Sequence, residues 1–316
     1  MTRAQRILVF VILILEGVIP VIVYSVEHGG LGIPAFGEHQ TMTTAQQFAQ
    51  VVAGLYIKPT YMLISLAIII LLIGQTAREI TSVFWGLITF LVGEIFCAIN
   101  FITYKHASIV SEYIHSYGMA LAFGFFTYAL LEIFDARLFH INSGACAANE
   151  LCRICKRTSP LHCSARRIAM LTIAMAGIVS FLPLSVSVSP NSYLTDLFGF
   201  AYSYARFDFY QWYETRALPL LALAFFIIAF LPLLKTKGDP IPQTTKIFFS
   251  AGLGALGFSL FRVILASMFA NNLVWFEFWE ELTELMFITA TGFMLWQFHN
   301  SLLQRTPILD LVPRRS

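Results

Sequence analysis

Four cysteines in one short polar stretch are the first chemistry this sequence offers. Cys146, Cys152, Cys155 and Cys163 stand as C-x5-C-x2-C-x7-C within residues 141–167, INSGACAANELCRICKRTSPLHCSARR. Cytosolic thiols stay reduced, so such a cluster reads as a metal or cluster site before it reads as disulfides. The Cys152-x-x-Cys155 pair lets two thiolates reach one metal, and a tetrahedral set of four sulfurs suits zinc or iron–sulfur. The spacing departs from the paired C-x2-C knuckles of zinc sites and lies nearer the C-x4-C-x2-C…C arrangement of iron–sulfur proteins. An iron–sulfur cluster is therefore the expected cofactor, with zinc as the alternative. Arg153, Lys156, Arg157, Arg166 and Arg167 around it would lower the thiolate pKa values, although a cytoplasmic loop carries such residues for topological reasons too.

The second group of chemical residues is buried in apolar runs. Glu94, Cys97 and Asn100 recur at i, i+3 and i+6. His106 follows in a short turn, then Glu112-x-x-His115. Arg262 stands in a later run, and Glu277, Glu281 and Glu284 share one helical face at i, i+4 and i+7, with Glu280 beside them. Ionisable residues in such runs are costly and mark functional sites by default. Arg262 is the only cation inside an apolar run, and one arginine cannot neutralise this many carboxylates. The others are expected to be protonated, to reach water or to bind a metal.

Three readings follow. A carboxylate-bridged metal centre would use Glu-x-x-His from two helices, and only one such motif is present. A proton or quinone site would use Glu94, Glu112, His115, Arg262, Glu281 and Glu284, with His106 and Asn100 hydrogen-bonding the cofactor. A structural reading has Arg262 lock two helices together while the terminal glutamates face water. Haem ligation would need paired histidines deep in the spans, whereas His106, His115, His140 and His299 lie near span ends. Phosphate-binding, nucleophile-elbow and H-E-x-x-H motifs are absent.

The elements that must position these residues are transmembrane helices. Of 316 residues, 58% are hydrophobic and 12% charged, against about 25% charged in soluble domains. Eight spans of bilayer length are expected, near 7–25, 59–75, 81–103, 111–133, 168–187, 217–234, 246–268 and 277–298. With the N-terminus inside, fifteen Lys and Arg fall on the inner side and four (Lys58, Lys105, Arg206, Arg216) on the outer. Both termini and the Cys-rich loop 134–167 are then cytoplasmic, in a bacterial-type inner membrane. The fold class is all-α: a single polytopic membrane bundle over 1–316.

Two outer-face segments, 26–58 and 188–216, complete the layout. The second is dense in Tyr, Trp and Phe and reads as an interfacial helix or loop, or as a docking surface for other membrane or outer-face redox subunits. Net charge is +2, so nucleic acid is not an expected partner; the lipid bilayer is. The leading functional expectation is membrane electron transfer between the cysteine site and an outer quinone or metal site. These poles are separated by a hydrocarbon core of about 30 Å, so an intermediate cofactor would be needed. The alternatives are a proton- or cation-coupled transporter with a structural zinc loop, and a non-catalytic scaffold subunit. Whether the chain is an enzyme at all is left open by its motifs.

Overall fold

The computed structural model describes residues 3–134, 164–186, 192–205, 207–235, 241–269 and 272–297. Cys146, Cys152, Cys155 and Cys163, with most of loop 134–167, lie outside the described residues. The chain forms helices α1 (Arg3–Gly17), α2 (Ile19–His28), α3 (Thr44–Val52), α4 (Lys58–Leu72), α5 (Arg78–Tyr104), α6 (Ile109–Ile133), α7 (Ser164–Val179) and α8 (Phe181–Ser185). A hairpin of β1 (Tyr193–Leu197) and β2 (Phe200–Tyr204) follows, then α9 (Asp208–Trp212), α10 (Leu218–Lys235), α11 (Gln243–Phe269) and α12 (Leu273–Gln297). Two π-helical turns, Ala53–Ile57 and Tyr213–Ala217, join α3 to α4 and α9 to α10 without a break.

Among the described residues, seven helical stretches are long and apolar enough to cross a membrane, as expected of an integral membrane protein: Arg3–His28, Thr44–Leu72, Arg78–Tyr104, Ile109–Ile133, Ala165–Ser185, Asp208–Lys235 and Gln243–Phe269. The 25-residue α12 has the length, but its four glutamates set it apart from these. Large apolar side chains such as Leu71, Ile102, Ile178, Leu182, Ile227 and Met268 point outward, the arrangement a lipid solvent requires.

Two spans begin earlier than the apolar runs suggest. Lys58-Pro59 reads in the sequence as a helix boundary, because proline lacks the N–H that a helix interior needs. A π turn immediately precedes it and absorbs the missing donor, so the helix runs on from Thr44. The same device recurs before Pro219, where the helix runs on from Asp208. Much of 26–58 and the last third of 188–216 thus belong to long helices.

Element order recurs along the chain. A helix interrupted near a proline (Pro20, Pro183), a π-containing helix with proline just after the turn, a 27-residue helix and a 25-residue helix appear twice. Packing does not follow this recurrence. Helix α6 lies at the centre, crossing α5 where Gly93 meets Gly118 and α11 where Gly124 meets Gly254. A Cβ at Gly118 would stand 2.8 Å from the Thr89 carbonyl oxygen, and one at Gly254 2.5 Å from that of Ala120. Small residues let these backbones approach as membrane helices commonly do. Around α6 the core is filled by Leu87, Phe90, Ala222, Phe258 and Ile288.

The hairpin is the main departure from the expected all-helical layout. Tyr193 pairs with Tyr204 and Leu197 with Phe200 across a tight Phe198-Gly199 turn, in which both residues have positive φ, 47° and 89°. That is the geometry of the two-residue turn matching strand twist. Residues 38–40 add to its edge: Gln40 N–H donates to Leu194 O at 2.7 Å, and Leu194 N–H to Glu38 O at 3.1 Å. The two segments read as outer-face pieces are therefore bonded to each other, at the end where α5 leads into α6. We call this the hairpin end.

Candidate functional site

Below the hairpin lies a cavity of about 430 Å³, walled by α3, α4, α5, α6, α11 and α12. Its lining includes Lys58, Cys97, His106, Glu112, His115, Arg262, Glu277, Glu280, Glu281 and Glu284. Nearly every residue expected to form the second polar site is thus brought together, and the shared face of Glu277, Glu281 and Glu284 points inward.

The chamber has three parts. At its centre, Lys58 Nζ stands 2.5 Å from Glu94 Oε2 and 2.8 Å from Glu281 Oε1, and donates to Tyr61 Oη at 2.9 Å. Tyr61 Oη in turn lies 2.6 Å from Glu281 Oε2. His115 Nδ1 is 3.3 Å from Glu94 Oε1, and Glu94 is fully buried. Glu284, only 4% exposed, completes the group, and neither of its oxygens has a hydrogen-bond partner.

Beside this centre, Arg262 bridges helices. Its Nε is 2.9 Å from Glu214 Oε1, and its Nη1 donates to Glu280. The guanidinium lies over the rings of Phe276 and Tyr210, 4.7 and 5.5 Å from their centroids. Ser116 Oγ also donates to Glu214, at 3.1 Å. The expected lock between the helices of Arg262 and the glutamates is therefore present, with Glu214 as a third member.

Nearest the hairpin, Glu277 accepts from Tyr202 Oη at 2.7 Å and from Gln50 Nε2. His106 lies edge-on to Tyr202, with Nδ1 3.6 Å from Glu112 Oε1. Burial works against charge on this imidazole, but Glu112 and Glu277 outweigh it and hold its pKa above the ordinary value. Burial together with Glu277 pushes the Tyr202 phenol well up, so it acts as a donor. Asn100 is a turn clamp. Its Nδ2 donates to Glu112 at 2.7 Å and its Oδ1 accepts from Ser108 N–H at 2.9 Å. This clamp holds Lys105 and His106 with φ of 49° and 60°, a conformation L residues adopt at a cost and often near functional sites.

The sequence reading takes Arg262 as the only buried cation. Lys58 is a second, because the π turn carries it into the helix instead of leaving it in an outer loop. Glu277 and Glu280 do not face open water as the structural reading supposes: the hairpin covers the first, and Arg262 holds the second. Tyr61, Gln50, Tyr202 and Glu214 also escape sequence reasoning. The alternation in YLTDLFGFAYSY around Phe-Gly is the signal that could have found the hairpin.

Among the described residues, three sets of side chains place ligand atoms within 4.8 Å of one another: Glu94, Cys97 and His115; His115, Glu280 and Glu284; Glu94, Glu281 and Glu284. Mixed carboxylate and imidazole donors suit a divalent metal ion of the Mn, Fe or Zn kind. A separate ion pair, Lys246 Nζ to Glu132 Oε1 at 3.1 Å, sits at the opposite end of α6 and α11. Comparison with protein-family models, curated proteins and solved structures finds no match for this chain.

Proposed function

We propose that the protein is a proton- or cation-coupled membrane carrier whose coupling site is this chamber. The observation that carries the reading is Glu284, buried with both oxygens unpartnered among other carboxylates. Glu94, Glu112, Glu214, Glu277, Glu280, Glu281 and Glu284 line or adjoin the chamber. Against these seven stand Lys58, Arg262, His106 and His115, so even with both imidazoles charged three carboxylates stay uncompensated. An isolated buried carboxylate costs several kcal/mol or more. The cheapest remedy is a bound cation, whether protons or a metal ion, which can be exchanged as the chamber opens. In this reading α12 is an eighth span, both termini lie on the cytoplasmic side, and the membrane is a bacterial-type inner membrane.

The test uses the full chain in lipid vesicles loaded with a pH-sensitive dye. An imposed proton or divalent-cation gradient should drive dye-reported flux, and Glu284→Gln should lower it at least tenfold while the protein still extracts and folds. Absence of flux for protons and for mono- and divalent cations, together with absent Mn2+ binding by calorimetry, would overturn the proposal. An electron-transfer role would instead require iron at Cys146, Cys152, Cys155 and Cys163. Iron and zinc analysis with a visible spectrum of the same sample decides it.

A further inference from the structure

A second cavity lies at the end opposite the hairpin, enclosed by α1, α5, α6 and α11, with a volume of about 250 Å³. Its mouth carries polar side chains, among them Arg78 and Gln243. Its walls are apolar, with Trp85 on one side. Along α1 the lining runs from Gln5 to Glu16, a rise of roughly 16 Å, so the cavity is a slot reaching well into the bundle.

Two polar groups line it without partners. Glu16 is 1% exposed and its Oε1 has no hydrogen-bond partner; Ser250, 3% exposed, has an unpartnered Oγ. No ion pair involves Glu16 among the described residues. Buried polar groups are nearly always satisfied, and an exception points to an absent partner. Here two exceptions on different helices share one apolar slot. Unlike the chamber at the hairpin end, this slot has no buried cation among its described lining residues to neutralise a bound anion; Arg78 at its mouth is exposed, and the lining between it and Glu16 is uncharged.

We infer that the slot binds a lipid-soluble carbonyl compound of the quinone type, its ring carbonyls accepting hydrogen bonds from the Glu16 carboxyl and the Ser250 hydroxyl. Two donors from different helices in an otherwise apolar site can orient such a molecule. The sequence-level expectation put a quinone near His106 and Asn100, but Asn100 is committed to the α5–α6 turn. The slot opens instead at the end of the bundle where α6 leads into the cysteine loop.

The experiment reads Trp85 fluorescence, which a bound quinone quenches. The full chain in nanodiscs is titrated with a benzoquinone bearing a medium-length alkyl chain, and the quenching absent in Trp85→Phe is taken as the slot signal. Saturable quenching is expected. Glu16→Leu should weaken binding about tenfold, the loss of one hydrogen bond to a buried partner, whereas Glu16→Gln, which keeps a donor, should bind nearly as wild type. Ser250→Ala should weaken it several-fold. Non-saturable quenching, or Glu16→Leu binding as tightly as wild type, overturns the proposal. So does preferential capture of a long-chain amine, which would make Glu16 a counter-ion. Ion flux through the chamber is read separately, so failure of one proposal leaves the other standing.

Discussion

Replacing Lys58 by methionine removes one ammonium and leaves the rest of the side chain's bulk. In the folded protein that ammonium stands within 3 Å of Glu94, Glu281 and Tyr61, so all three of its hydrogens are engaged. Removing one partner of a buried ion pair typically costs about 3–5 kcal/mol, because the opposite charge stays behind without compensation. Two carboxylates are stranded here, which puts Lys58→Met at the upper end, toward 5 kcal/mol near neutral pH. The penalty should shrink as pH falls, because a proton can take the place of the missing ammonium. Neutralising Glu94 as well should recover much of the loss: Lys58→Met/Glu94→Gln should be more stable than Lys58→Met by roughly 2 kcal/mol, and the full cycle should give a coupling well above its error. Thermal unfolding in detergent, followed by tryptophan fluorescence at pH 5 and pH 7.5, measures all four corners of the cycle. A single variant within about 0.5 kcal/mol of wild type at neutral pH, or a double variant no better than the single, would refute the chamber's charge arrangement.

Two more expectations follow from the same structure. His106 is held above its ordinary pKa of 6.5, burial being outweighed by Glu112 and Glu277, with Lys58 opposing and Tyr202 and Tyr204 packed alongside. Its protonation therefore stabilises the fold fully below that ordinary value, and the contribution disappears as pH climbs through the raised one. Melting temperature should therefore fall as pH rises above about 6.5, and His106→Asn, which tolerates the left-handed backbone, should flatten that slope. At the α6–α11 crossing, Gly254→Leu must push a side chain into the Ala120 carbonyl and Gly124 backbone, so a loss of about 3 kcal/mol or failure to insert stably is expected. Gly257→Ala, on the same helix with open space beside it, should stay near wild type in the same melting assay.

The membrane class and most span positions were legible because uncharged hydrophobic runs of bilayer length seldom occur outside membrane helices. The chamber's acids were legible too, since Glu277, Glu281 and Glu284 fall on one face by simple helix arithmetic, and Glu94 and His115 stand at matching depth on adjacent helices. What escaped was whatever depended on backbone exceptions. Lys58 and Glu214 lie in or just after π turns, and no residue pattern distinguishes such a turn from a helix end near proline. Tyr202 and Gln50 reach Glu277 only because a hairpin and a short helix, far apart in sequence, close over the same spot. Partner identity across 75 and 227 residues of separation is tertiary information, and a single sequence does not carry it.

The π turn before Lys58 has a consequence for how this helix can change. An α-helix hydrogen-bonds four residues back and a π turn five, so Ala53–Ile57 holds one residue more than an α turn and makes room for Pro59. Losing any one residue there would leave the span nearly as long and as apolar as before. It would also let the wide turn close, setting the Pro59 ring against the carbonyl four residues back, where proline kinks or breaks a helix. Helix length is thus a forgiving property of this span and the width of this one turn an unforgiving one. Substitutions among its lipid-facing residues should be readily tolerated, whereas a single deletion within Ala53–Ile57 should kink the span at Pro59 and displace Lys58 from Glu94 and Glu281.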